Sequence, residues 1–213
     1  MSAEIAITDG DALLVIDVQN DFLPGGALAV PDGDAIVPLI NRLATLFKSV
    51  ALTQDWHPAD HASFASNADG AKPFDVVQKP YGPQTLWPDH CVQGTEGAAL
   101  SDGLKIDHAM LILRKGSNPD VDSYSAFLEA DGKTATGLAP LLRARGVDRL
   151  FLCGLATDFC VAYSALDART FGFEAFVIAD ACRAIDADGS LDTALAKMNA
   201  AGVVRVQARE LLG

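Results

Sequence analysis

The sequence predicts one α/β domain spanning residues 1–213, built on a doubly wound, mainly parallel sheet of six strands with helices on both faces. Three observations predict it. Short apolar runs recur that are continuous rather than alternating, the pattern of strands covered on both faces. Between them lie stretches with apolar residues at three- and four-residue spacing, the pattern of amphipathic helices. The two kinds of segment alternate, and that alternation builds parallel sheets from strand–helix–strand units.

The first strand is expected over 12–16, in Ala12-Leu13-Leu14-Val15-Ile16. A helix over 35–47 follows, where Ile36, Leu39, Ile40, Leu43 and Phe47 share a face. The second strand is expected over 50–53. The stretch 58–107 then carries Pro and Gly throughout with weak periodicity. A loop that long in a compact domain is usually functional or holds short elements of its own. The remaining strands are expected over 109–113, 149–153, 176–179 and 203–206, with helices over 138–145, 161–170 and 191–201. No internal repeat or low-complexity linker interrupts the order.

Composition excludes several function classes. Sixteen basic side chains against twenty-eight acidic ones leave a net charge of −12. A surface of that sign repels phosphate, so no nucleic-acid partner is expected. The apolar runs are far too short to span a bilayer, so no membrane partner is expected either. The acidic start, Met1-Ser2-Ala3-Glu4, lacks the basic and apolar regions of a signal peptide. Cys91, Cys153, Cys160 and Cys182 form no C-x-x-C pair, so free thiols in the cytoplasm are expected. A neutral or cationic small molecule suits this charge balance. The oligomeric state stays open, a homo-oligomer included.

In open α/β sheets the ligand crevice lies beyond the carboxyl ends of the strands. Four expected strand ends carry unusual residues: Asp17, Asp55, Lys115, and Gly154 leading to Cys160. Thr157 or Asp158 is a plausible N-cap, which puts Cys160 in a first helical turn. There the helix dipole and unpaired N–H groups would lower the thiol pKa and receive an oxyanion. A cysteine nucleophile needs a proton acceptor. Asp17, poorly solvated at a strand end, is the candidate base, its pKa raised by burial. Lys115 would supply the opposite charge. Taken singly, these are a buried cysteine, a turn acid and a surface lysine; chemistry is credible only for the set. Cys153 and Cys182 read as core.

A second cluster lies in the irregular stretch. Asp55-Trp56-His57-Pro58-Ala59-Asp60-His61 gives D-x-H-x3-H, and His90 adds a third imidazole. In extended backbone Asp55 and His57 point the same way, and the Pro58-Ala59-Asp60 turn can fold His61 back. One carboxylate and three imidazoles suit one divalent ion, zinc, iron or manganese. Taken alone, D-x-H-x3-H fits a hydrogen-bonded polar loop equally well; His90 tips the balance toward metal. His108 has no partner pattern.

These residues sit in longer matching segments: Val15 to Phe22 with Pro24-Gly25-Gly26, Gln54 to Phe64, Trp87 to Thr95, Arg114-Lys115-Gly116, Asp122 to Phe127, and Gly154 to Val161. Together, in order, they resemble the nicotinamidase branch of the isochorismatase-like cysteine hydrolases. The resemblance implies a catalytic triad of Asp17, Lys115 and Cys160. It implies metal ligation by Asp55, His57, His61 and His90, and a cis peptide at Leu155–Ala156 that turns the Ala156 N–H, with that of Cys160, into an oxyanion hole. Phe22, Trp87, Tyr124 and Leu155 match positions around a flat ring. The implied reaction converts nicotinamide, a small neutral aromatic amide, to nicotinate and ammonia through a cysteine thioester, with pyrazinamide as a further substrate. Leu23 and Phe159 depart mildly from the family pattern. The alternatives are a cysteine amidohydrolase acting on a carbamoyl or ureido group, and a non-enzymatic metal- or ligand-binding protein.

Overall fold

Asp11–Ile16 reads DALLVI, and every residue in it is buried. Only a strand with neighbours on both edges and cover on both faces tolerates such a run. This strand, β1, lies inside the main sheet of the computed structural model, which describes residues 5–213. The elements that follow are α1 (Val37–Ala44), β2 (Ser49–Asp55), β3 (Val76–Lys79), β4 (Gly82–Thr85), β5 (Leu111–Lys115) and α2 (Leu138–Ala144). Then come β6 (Arg149–Leu155), α3 (Ala162–Thr170), β7 (Glu174–Arg183), α4 (Ser190–Ala200), β8 (Val204–Val206) and α5 (Arg209–Leu212).

The main sheet has six strands in the order β5-β2-β1-β6-β7-β8, and every neighbouring pair is parallel. The chain steps outward from β1 to β2 and β5. It then returns to the other side of β1 and steps outward again through β6, β7 and β8. Right-handed crossovers run in opposite directions put their helices on opposite faces. The order therefore reverses between β1 and β6, and the carboxyl ends of those two strands flank the resulting crevice.

Several boundaries differ from the sequence expectation. The strand expected over 109–113 is shifted to Leu111–Lys115, and Ile112 on it is 52% exposed. β5 is an edge strand pairing only with β2, so its apolar run marks a half-covered strand rather than a buried one. β7 runs ten residues where four were expected, through a register shift opposite Leu152 and Gly154. The helix expected over 35–47 is a 3-10 turn, Gly33–Ile36, followed by α1, which stops at Ala44. Phe47 lies past its end yet is buried, its ring 5.3 Å from Phe151. The antiparallel β3–β4 hairpin inside 58–107 was unforeseen. Among the described residues no helix is long and apolar enough to cross a membrane.

Candidate active site

β1 is followed by Asp17, β2 ends in Asp55, β5 ends in Lys115, and β6 runs into the turn Thr157–Val161 that carries Cys160. Because β5, β2, β1 and β6 are consecutive in the sheet, these four side chains meet at one edge. Lys115 is the hub. Its Nζ lies 2.9 Å from Asp17 Oδ2, 2.6 Å from Asp55 Oδ1, 3.0 Å from the Ser123 carbonyl and 3.3 Å from Cys160 Sγ. Burial alone would depress the Lys115 pKa, but Asp17 and Asp55 outweigh it and hold the ammonium well above its usual range.

Asp17 adopts a left-handed backbone, φ 47°, which Asp tolerates better than most residues. Its Oδ1 accepts a hydrogen bond from Thr53 Oγ1 at 2.6 Å. Oδ2 sits at ion-pair distance from Lys115 but receives no aligned hydrogen bond, so one lone pair is left to take a proton. Burial raises the Asp17 pKa against the pull of Lys115. Two glycines permit this close packing. A Cβ on Gly154 would collide with the Ile16 backbone, and one on Gly116 with the His57 ring.

Cys160 departs from the sequence expectation in two ways. Neither Thr157 nor Asp158 caps a helix: the segment begins as a π turn with no side-chain cap, and the Asp158 carboxylate bonds elsewhere. Nor is the thiol pKa lowered. Burial pushes it well up, and Asp17 and Asp55 add to that effect while Lys115 opposes it. The resting group is a thiol with a carboxylate beside it, the donor atoms of Asp17, Asp55 and Cys160 all lying within 4.8 Å of one another.

The three histidines gather next to Asp55. The Gln19 side chain brackets the Asp55 backbone, accepting from its N–H at 2.7 Å and donating to its carbonyl at 2.8 Å. The His61 N–H closes a turn onto the Pro58 carbonyl at 3.0 Å. His57 then lies 4.3 Å from His61 and 5.0 Å from His90, ring centre to ring centre. Each ring's Nδ1 has a partner: the Gly116 carbonyl for His57, Ser63 Oγ for His61 and the Pro88 carbonyl for His90. Such outer hydrogen bonds leave Nε2 as the inward donor atom. His61 Nε2 is buried with no hydrogen-bond partner.

Burial, then the neighbouring His57, pushes His61 and His90 down to about 4, which keeps both neutral at pH 7. Burial works against ionised Asp55, but Lys115 and His57 hold its carboxyl far below the usual range. Burial pulls His57 down, but Asp55 outweighs it and raises its pKa. The neutral imidazoles of His61 and His90, the His57 ring beside ionised Asp55 and the orphaned inward nitrogen of His61 fit a divalent cation. His108, by contrast, bonds the Ala44 carbonyl at 3.1 Å.

A cavity opens onto both groups. Phe22, Trp87, Tyr124, Ala156 and Cys160 line it, but Leu155 does not. That side chain is fully buried and faces Gly33, because residues alternate sides along β6. The Leu155–Ala156 peptide is cis. Sequence reasoning missed three lining residues, Leu28, Asp122 and Ile185, while Phe159, a departure able to tune pocket shape, also lines the cavity. Asp122 is buried, accepts from Gln84 Nε2 at 2.8 Å, and has a carboxylate oxygen within 4.8 Å of the His57 and His61 donors. Its signal was its place at the head of the Asp122 to Phe127 segment.

The family model described as the isochorismatase domain matches residues 11–210. The chain belongs to the isochorismatase family. Within that family it is 55% identical to a nicotinamidase of Acinetobacter baylyi, over 94% of this chain and 94% of the relative. Its fold superposes on an Acinetobacter baumanii nicotinamidase and pyrazinamidase with a TM-score of 0.95, at 53% identity, covering 95% of this chain and 98% of the other. A Pyrococcus horikoshii pyrazinamidase in complex with zinc is similar at TM-score 0.75 and 38% identity, over 93% and 99% of the two chains.

Proposed function

We propose that this isochorismatase-family chain is a nicotinamidase that hydrolyses nicotinamide to nicotinate and ammonia, and acts on pyrazinamide as well. The observation that carries the reading is the convergence of the Asp17–Lys115–Cys160 group and the Asp55–histidine group on one aromatic-walled cavity. The names of its relatives agree with it.

The geometry supports the following roles. The substrate ring lies among Phe22, Trp87 and Tyr124, with its carboxamide toward Cys160. As Sγ attacks the carbonyl carbon, the thiol proton passes to Asp17. A thiol raised by burial is a poor acid, and the match comes from Asp17 being raised too. The N–H groups of Ala156 and Cys160 receive the tetrahedral oxyanion, one such donor contributing about 3–4 kcal/mol. Asp17 returns the proton to the amide nitrogen as the C–N bond breaks and ammonia leaves. Water then attacks the thioester, giving its proton to Asp17. The C–S bond breaks, Asp17 re-protonates the cysteine, and the acid released sheds its remaining proton to solvent as nicotinate.

Lys115 keeps the charge shared by Asp17 and Cys160 compensated throughout. Asp55, His57, His61 and His90 would hold a divalent ion, which supplies positive charge for orienting the substrate's ring nitrogen. Zinc accompanies the Pyrococcus horikoshii enzyme, and this donor set accepts iron(II) or manganese(II) as well. Four buried, unpaired thiols support a reducing cytoplasmic setting.

The test is ammonia release from nicotinamide by the purified protein, before and after chelation. Turnover that falls on chelation and returns with added metal supports the reading. Turnover confined to carbamoyl or ureido compounds would replace it.

A further inference from the structure

Asp158 precedes Cys160 by two residues and is buried, yet it bonds none of the groups described above. Its carboxylate accepts hydrogen bonds from the Ile185 N–H at 3.1 Å, the Asp186 N–H at 2.8 Å and the Ser190 hydroxyl at 2.5 Å. Ile185 and Asp186 lie on the strap between β7 and α4, and Ser190 is the first residue of α4. The strap also holds the short turn Ala187–Gly189, and Asp186 Oδ1 accepts a longer bond from the Leu191 N–H at 3.4 Å. Asp186 and Asp188 both take left-handed backbone, at φ 54° and 50°, which costs an L-residue free energy unless its surroundings enforce it. Ile185, at the near end of the strap, lines the cavity together with Phe22 and Leu28.

We propose that Asp158 is a positioning residue that pins the strap to the nucleophile's own turn, so that Ile185 becomes a fixed wall and decides which ring substituents the cavity admits. The inference rests on the nicotinamidase reading and names a determinant of its selectivity. One carboxylate fixes both the reacting sulfur's turn and the wall of the ring pocket, so their spacing is set locally rather than through the sheet. A wall held in place discriminates by excluding a single methyl group, an effect of roughly 10- to 200-fold in a rigid apolar pocket. A wall on an unanchored strap yields to that methyl.

The experiment compares nicotinamide with ring-methylated nicotinamides by steady-state ammonia release, using metal-loaded wild type, Ser190→Ala, Asp158→Asn and Ile185→Ala. Amide hydrogen exchange of Ile185 and Asp186 is followed in parallel. Ser190→Ala, which removes one of the three bonds, should raise KM for nicotinamide about threefold with kcat within about twofold. Asp158→Asn should raise KM about tenfold, speed exchange at both amides, and cut discrimination against the methylated rings about tenfold. Ile185→Ala should reproduce the lost discrimination without the faster exchange at Asp186. An active wild type whose discrimination and amide exchange are unmoved by Ser190→Ala and Asp158→Asn overturns this inference alone. If Asp158→Asn does not fold, Ser190→Ala decides. A wild type that releases no ammonia from nicotinamide overturns the activity reading and the selectivity role together.

Discussion

At the scale of single residues, Lys115 explains how so much charge sits in so little water. Two carboxylates, an ammonium and a thiol share one buried cluster, and the ammonium touches the other three. Removing one partner of such a cluster costs about 3–5 kcal/mol, because the remaining charges are left buried and unpaired. Lys115→Met should therefore lower both stability and turnover, read by urea denaturation and ammonia release; a variant as stable as wild type would mean that Asp17 and Asp55 have simply taken up protons. Cys160→Ala removes the sulfur and leaves the charges in place. It should abolish ammonia release while metal content, measured by elemental analysis, stays near wild type. Substantial residual turnover would assign the nucleophile elsewhere. Asp17, Asp55 and Lys115 were legible in sequence because each stands at the end of a strand, and Cys160 because it follows shortly after one. The thiol's pKa runs opposite to the sequence expectation, since a helix-terminus argument sees local N–H groups and neither the burial of the sulfur nor the two carboxylates arriving from other strands.

At the scale of elements, strands were legible where both faces are covered and poorly placed where they are not. β1, β2 and β6 lie inside the sheet and carry continuous apolar runs. β5 at the edge alternates, and the polar β3–β4 hairpin carries no apolar run at all. The start of β1 is tied to the start of β6 by Asp11, which takes 2.5 Å and 2.6 Å bonds from Arg149 and further bonds from the Thr8 amide and hydroxyl. Burial opposes ionisation of Asp11, but Arg149 and Thr8 outweigh it and lower its pKa. A carboxyl with a lowered folded-state pKa stabilises the fold above its unfolded value, about 3.9, and that stability is lost as pH falls through the folded value. Asp11→Asn should then be less stable than wild type by about 1–3 kcal/mol at pH 7. The gap should close as the pH drops below about 4. Denaturation curves at both pH values check this, and a gap that persists unchanged at low pH would show that shape, not charge, ties the two strands.

At the scale of the whole molecule, the net charge of −12 says little about function, since the acids that matter are few and buried. What the chain's organisation does say concerns the long irregular stretch between β2 and β5. It has one small hairpin and the 3-10 turn Ala65–Asn67 of its own, yet His57, His61, Phe64, Trp87 and His90 from it are all buried. His57 anchors it to Gly116 beyond β5, and backbone bonds join His57 to Cys91 and Gln93. A divalent ion shared by Asp55, His57, His61 and His90 would therefore staple the end of β2 to two separate parts of this stretch. Binding that favours the folded state adds stability of RT ln(1 + [L]/Kd), about 2.7 kcal/mol at a hundredfold excess over Kd. Chelation should lower Tm as well as activity, and added zinc should restore both. His57→Ala should bind less metal, show a raised KM and lose most of the chelator's effect on Tm. A chelated protein that keeps its Tm while losing turnover would mean that the stretch is ordered by its own packing, and that the ion serves the substrate alone.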